Sequence, residues 1–275
     1  MKKGTLFLVP TPIGNLADIT YRAVEVLKQV DMIAAEDTRV SGKLLKHYQI
    51  DTKMISYHRF NEKKRVEELL DKLNQGKDIA LISDAGTPGI SDPAAFIIQA
   101  ALDDGVEVQT LPGATALIPA LVSSGFSTQR FVFVGFVPEK KKDRDNLFAE
   151  LKDLKMTLVF YEAPHRLVEF LKLLRKNLGN RRVCLAREIS KKFETQQRET
   201  LDALIQNPEK IVLKGEFVVV IEAAEERDFS DEELMEKIRG LKRNGLSNKD
   251  IAAKISKQDK VAKNRVYDLV HKEEK

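Results

Sequence analysis

Short apolar runs along the chain alternate with stretches whose apolar positions recur at helical spacing. Leu6–Val9, Met32–Ala35, Asp78–Ser83 and Val106–Leu111 read as strands, the first and third of them buried. Between them, Arg22–Val30, Val40–Tyr48, Arg65–Leu73, Ala94–Leu102 and Ala116–Ser123 read as helices. The third of these carries Val66, Leu69, Leu70 and Leu73 as one apolar stripe. This alternation of strand and helix predicts a mostly parallel sheet covered by helices on both faces.

The pattern changes after Arg130. Arg130–Pro138 is an apolar strand closed by a proline, and the charged run Glu139–Asp145 follows, where we place a boundary. A helix to Leu154, a strand Thr157–Tyr161, a helix Leu167–Asn177 with Gly179 at its end, and a strand Arg182–Ala186 come next. Phe193–Thr200 is a candidate strand, Leu201–Gln206 a helix and Gly215–Glu222 a central strand. Beyond Ala224 three helices are predicted: one opened by the capping box Ser230 to Glu233, one capped by Ser247, and one over Val261–His271. The expected organisation is an α/β fold with an α/β domain at 1–130, a second α/β domain with a mixed sheet at 131–225, and a small helical, basic module at 226–275.

Charge sharpens the reading of that last module. Residues 239–272 hold ten Lys/Arg against three Asp/Glu, a net +7, while the whole chain of 275 residues carries only +4. Such asymmetry fits a nucleic-acid-facing tail, and equally a solvated lysine-rich helix pair. The single cysteine, Cys184, lies in a strand and reads as a small core residue. None of the four histidines pairs with another, or with Cys184, at ligand spacing, so no metal site is expected. No apolar run approaches the roughly 20 residues of a membrane helix. Thr5–Val9 is too short for a signal peptide, so no membrane association and a cytoplasmic location are expected.

Candidate chemistry clusters in four turns that follow strands: Pro10–Asn15, Ala35–Arg39, Ser83–Pro93 and Leu111–Ala116. Glycine and proline bend such turns, and in an open parallel sheet ligands bind outside the carboxyl ends of the strands. Ordinary strand-to-helix turns use the same residues. No G-x-G-x-x-G or G-x-x-x-x-G-K-[ST] motif is present, so these turns by themselves point only to a small polar ligand. In the second half, Tyr161, Glu162, His165 and Arg166 gather where a strand gives way to a helix.

Together, Val9–Leu16, Glu36-Asp37-Thr38-Arg39, Ser83–Gly89, Pro112–Ala116 and Phe160–Arg166 resemble the motifs of the ribosomal RNA small subunit methyltransferase I family, within the tetrapyrrole methylase-like (class III) methyltransferases. The resemblance reaches to about Ala224. It implies a homodimer of paired α/β domains that binds S-adenosylmethionine (leaving S-adenosylhomocysteine) between them. It also implies transfer of methyl to the 2'-hydroxyl of a cytidine in the decoding centre of 16S ribosomal RNA, presented as RNA or as the assembled small subunit. By motif position, Pro12, Ser83, Asp84, Ala85, Gly86, Thr87, Thr115, Ala116, Tyr161, Glu162, Leu185 and Ala186 are expected at the cofactor. Asp37, Arg39, Glu162 and His165 are the catalytic candidates, with Glu36 a further proton acceptor. Arg166, Lys249, Lys263 and Arg265 are expected to meet RNA, the last three on a tail that resembles a helix-turn-helix. Two other readings stay open: a methylase of tetrapyrroles, and an RNA-binding protein without activity.

Overall fold

A computed structural model describes residues 2–224, 229–259 and 261–272. The chain divides into two compact units, Met1–Ala224 and Glu225–Lys275.

The first sheet holds β1 (Thr5–Leu8), β2 (Met32–Ala35), β3 (Met54–Ser56), β4 (Ile79–Ile82) and β5 (Glu107–Thr110). Their order is β3-β2-β4-β1-β5, and every pairing is parallel. All five carboxyl ends therefore lie on one edge, which brings the turns together. Alternation along the strands feeds two cores. Leu6, Leu8, Ala34 and Leu81 pack under α3 (Glu62–Asn74) and α4 (Ala95–Asp103). Val9, Ile33, Ala80 and Ile82 pack under α1 (Tyr21–Gln29) and α2 (Thr38–His47). Burial on both faces explains why β2 and β4 read as unbroken apolar runs. β3 has no counterpart among the predicted strands: three residues, Met-Ile-Ser, carry too little period to announce themselves.

The next helix, α5 (Leu117–Ser124), leaves the first sheet and covers the second. Its Ala120 and Leu121 pack with Val159, Cys184, Ala186, Val218 and Val220. That sheet runs β6-β7-β10-β8-β9, from β6 (Phe131–Gly135), β7 (Thr157–Glu162), β8 (Arg182–Arg187), β9 (Thr195–Thr200) and β10 (Phe217–Ile221). Only β6 and β7 are parallel, so the sheet is mixed. Its far face is covered by α6 (Lys141–Leu151), α7 (Leu167–Leu178) and α8 (Leu201–Gln206). Most of the charged run expected as a boundary is the opening of α6, whose Phe148 and Leu151 enter this core. Phe160 is fully buried there, its ring 5.3 Å from that of Phe170. Phe160→Ala is expected to lose about 3–5 kcal/mol of stability, from lost transfer energy and the cavity left behind, read as a lowered midpoint in urea unfolding.

In the second unit, α9 (Asp231–Arg243), α10 (Asn248–Asp259) and α11 (Lys263–Lys272) enclose their own core of Leu234, Ile238, Ile251, Val266 and Val270. Ser230 and Glu233 form the expected capping box. Ser247 Oγ accepts from the Asp250 amide at 3.2 Å, capping α10. Among the described residues, no helix is long and apolar enough to cross a membrane, and no His/Cys/Asp/Glu group is arranged for a metal ion.

Candidate active site

Three of the four turns are stapled to one another around Gly86 at the carboxyl edge of the first sheet, and the fourth is joined to them through Asp84. Thr11 and Gly86 exchange backbone hydrogen bonds, at 2.9 Å and 3.0 Å. Thr11 Oγ1 donates to the Ser83 carbonyl at 3.0 Å, and Ser83 Oγ to the Gly86 carbonyl at 3.2 Å. Thr87 Oγ1 donates to the Ala114 carbonyl at 3.0 Å, tying in the turn after β5. Two glycines permit this closeness. Gly86 takes φ +88°, a left-handed backbone that residues with a Cβ rarely adopt. A Cβ on Gly113 would sit 2.5 Å from the Pro10 Cβ.

These turns and the second sheet enclose a cavity of about 320 Å³. Of the residues expected at a cofactor, Ala85, Gly86, Thr87, Thr115, Ala116, Tyr161, Glu162 and Ala186 line it. Pro12, Ser83, Asp84 and Leu185 do not, each for a local reason. Pro12 gives way to its neighbour Ile13, which is on the wall. Ser83 is buried beneath the loop it braces. Asp84 turns aside to accept from the Asp37 amide at 3.0 Å. Leu185 and Ala186 are successive residues of β8, so their side chains leave opposite faces; Leu185 belongs to the core beneath α7.

The wall also holds residues that were not expected there. Ile90, Ser91 and Asp92 come from the loop before α4, Phe136 follows β6, and Gly215–Val218 lead into β10. Glycine and proline clusters marked the loop containing Asp92, yet nothing in them distinguished this carboxylate from Asp84. Ser91 holds φ +73°, costly for a residue with a Cβ, and hands the chain on to Asp92. Burial pushes the Asp92 carboxyl up to about 6, and Glu36 and Asp84 add to this against a hydrogen bond with Ser83. Burial likewise raises the Tyr161 phenol, which stays protonated at neutral pH. Its ring stands edge-on to Phe133 at 5.0 Å and Phe136 at 5.8 Å.

The catalytic candidates divide. Asp37 and Arg39 sit at the start of α2, outside the cavity wall. The Asp37 carboxylate accepts from its partner's backbone at 2.8 Å and guanidinium at 2.6 Å, and this holds it well below the usual carboxylate range. Arg39 leaves 88% of its side chain exposed. Glu36 accepts from the Asp84 amide at 3.3 Å and is raised by burial. Glu162 is 1% exposed in its side chain, accepts from the Ala163 amide at 2.8 Å and faces Arg166 Nε at 3.4 Å. Arg166 and His165 line a second cavity of about 330 Å³, with Arg144 and Glu169. Within the tail, Lys249 and Lys263 are exposed. Arg265 is instead drawn inward, donating to Asp231 at 2.9 Å and to the Phe229 carbonyl at 2.7 Å.

Residues 5–205 match the family described as Tetrapyrrole (Corrin/Porphyrin) Methylases. The chain belongs to this family and is a methyltransferase. Within the family it is 47% identical over 270 residues to the ribosomal RNA small subunit methyltransferase I of Synechocystis, covering 97% of each chain. It is 41% identical to the protein of that name from Bacillus subtilis, covering 98% of this chain and 94% of the other. These alignments place it among the ribosomal RNA small subunit methyltransferase I proteins. Solved structures share the methylase fold at much lower identity. Diphthine synthase superposes with a TM-score of 0.65 at 14% identity, covering 80% of this chain and 90% of its own. The methyltransferase CobJ does so with a TM-score of 0.61 at 20% identity, covering 80% and 95%.

Proposed function

We propose that this methyltransferase binds S-adenosylmethionine in the 320 Å³ cavity and methylates the 2'-hydroxyl of a cytidine in the decoding centre of 16S ribosomal RNA. The observation that carries the cofactor reading is the cavity itself, walled by stapled turns from one sheet and by the end of another. Its volume lies in the range of small-ligand sites, and its wall is chiefly apolar, from Ile13, Ala85, Ala116, Ile189 and Val218. A purine suits such a wall. Gly86 leaves open the space that a Cβ would close.

The bound cofactor supplies an activated methyl group, so the protein's work is positioning and proton transfer. A ribose hydroxyl is a weak nucleophile near neutral pH and gains from a general base. Asp92 is a carboxylate on the cavity wall whose affinity for a proton is raised by burial, and it takes the hydroxyl proton on Oδ. Asp37 holds the Arg39 guanidinium along its Nε–Nη2 edge, and the remaining donors of this exposed side chain are left for phosphate. Glu162 fixes the turn that carries His165 and Arg166, which steer RNA alongside. Lys249 and Lys263 add attraction from the tail. The enzyme acts in the cytoplasm as a homodimer.

RNA is favoured over a tetrapyrrole because relatives named for ribosomal RNA match 97–98% of this chain, the basic tail included. Incubating the enzyme with small ribosomal subunits and methyl-labelled cofactor is expected to place one label on a cytidine ribose. Label on a base, or none on RNA, would remove the reading.

A further inference from the structure

The loop between β3 and α3 presents a side chain that the fold does not use. Phe60 is 96% exposed, although the loop that carries it is tightly held. Tyr57 anchors one end: it is buried, and its amide donates to the Ala35 carbonyl at 2.7 Å. Asn61 clamps the other end. Its side chain accepts from the His58 amide at 2.8 Å and donates to the Ser56 carbonyl at 3.3 Å. The Asn61 and Glu62 amides both donate to the His58 carbonyl at 2.9 Å. Phe60 thus stands out from a fixed turn, with the His58 ring 6.1 Å away, edge to face.

Charge surrounds it. Arg59, Lys63 and Lys64 are exposed, and Glu62 is the one acid among residues 57–65. The exposed cations beside the ring set it apart from the core of a protein interface, where charged residues are depleted. An aromatic face ringed by cations is instead the composition that binds single-stranded nucleic acid, bases stacking on the ring while cations take the phosphates. The loop is also well placed. β3 lies two strands from β4 in the parallel sheet, so this turn is roughly 10 Å along the edge from the one that opens the cavity. Asp37 and Asp84 join the turns between.

We propose that Phe60 is a stacking platform for an unpaired base of the RNA substrate, with Arg59, Lys63 and Lys64 on the phosphates beside it. The proposal rests on the RNA-methylating reading and adds to it where the strand runs. The chain contains no tryptophan, so Phe60→Trp supplies a single tryptophan, whose emission can be excited apart from that of the five tyrosines. Its emission is expected to be quenched by a single-stranded RNA oligonucleotide with the decoding-centre sequence, and by small ribosomal subunits. Phe60→Ala is expected to raise KM for subunits by about 5- to 100-fold, with cofactor affinity, melting temperature and sedimentation unchanged; Phe60→Tyr is expected to retain wild-type KM. Unquenched F60W emission together with an unaltered KM in F60A overturns the proposal. A change in sedimentation of F60A also overturns it, by assigning the ring to self-association. Failure of the wild-type enzyme to methylate ribosomal RNA would sink the functional reading instead, and quenching by the oligonucleotide remains measurable in that case.

Discussion

Asp92→Asn is expected to lower the rate of methyl transfer about 10²- to 10⁴-fold, the usual worth of a positioned general base. The substitution keeps size and shape and removes only the capacity to take a proton. Cofactor affinity, measured by calorimetry, is expected to stay within a few-fold, which separates loss of chemistry from loss of the site. The wild-type rate is expected to rise with pH through about 6, where Asp92 gives up its proton, and then to level off. The asparagine variant is expected to lose that rise. Stability carries the opposite sign. A carboxyl raised in the folded state binds protons more tightly there than in the unfolded chain, where its value is about 3.9. Its contribution is therefore fully favourable only below that value, and declines as pH climbs to about 6. Asp92→Asn is expected to melt higher than wild type at pH 7 and to show little difference at pH 4. A variant that is fully active at every pH would remove Asp92 from the reaction.

Removing residues 225–275 is expected to reduce RNA methylation by at least about 100-fold while sparing cofactor binding. The physical basis is the division of the chain: Met1–Ala224 holds the cavity and its own cores, and the tail helices enclose a separate one. The tail stretch 239–272 carries the net +7 in a chain of net +4, so the remainder is left without positive excess. Each phosphate contact that disappears is expected to flatten the dependence of log K on log salt by about 0.7 on single-stranded RNA. Filter binding across a salt series, beside calorimetry with the cofactor, measures both. An unchanged salt slope would assign the tail to packing or dimer contacts. Arg265 already illustrates how a tail cation can be taken up internally, by Asp231 and Phe229.

Much of this molecule was legible in its residues. Period and punctuation gave the alternation of strand and helix, because burial on two faces demands unbroken apolar strands and burial on one face demands a helical stripe. The turn residues identified the edge of the sheet where the cavity forms, and the motif set identified the family. Ala85 to Thr87, Thr115, Ala116 and Tyr161, which come from those motifs, line the cavity.

Only the tertiary structure decided which polar groups within those turns face inward. Asp37, Asp84 and Asp92 are chemically alike and sit in similar loops. Arg39 claims the first, the Asp37 amide engages the second, and burial near Ser83 and Glu36 raises the third. Leu185 missed the cavity by one residue of strand parity, and α5 turned out to roof the second sheet. Local sequence carries propensity and period, whereas solvation and charge are set by groups distant along the chain. The proton affinity of a carboxylate, and the exposure of a ring such as Phe60, exist only once those groups have been brought together.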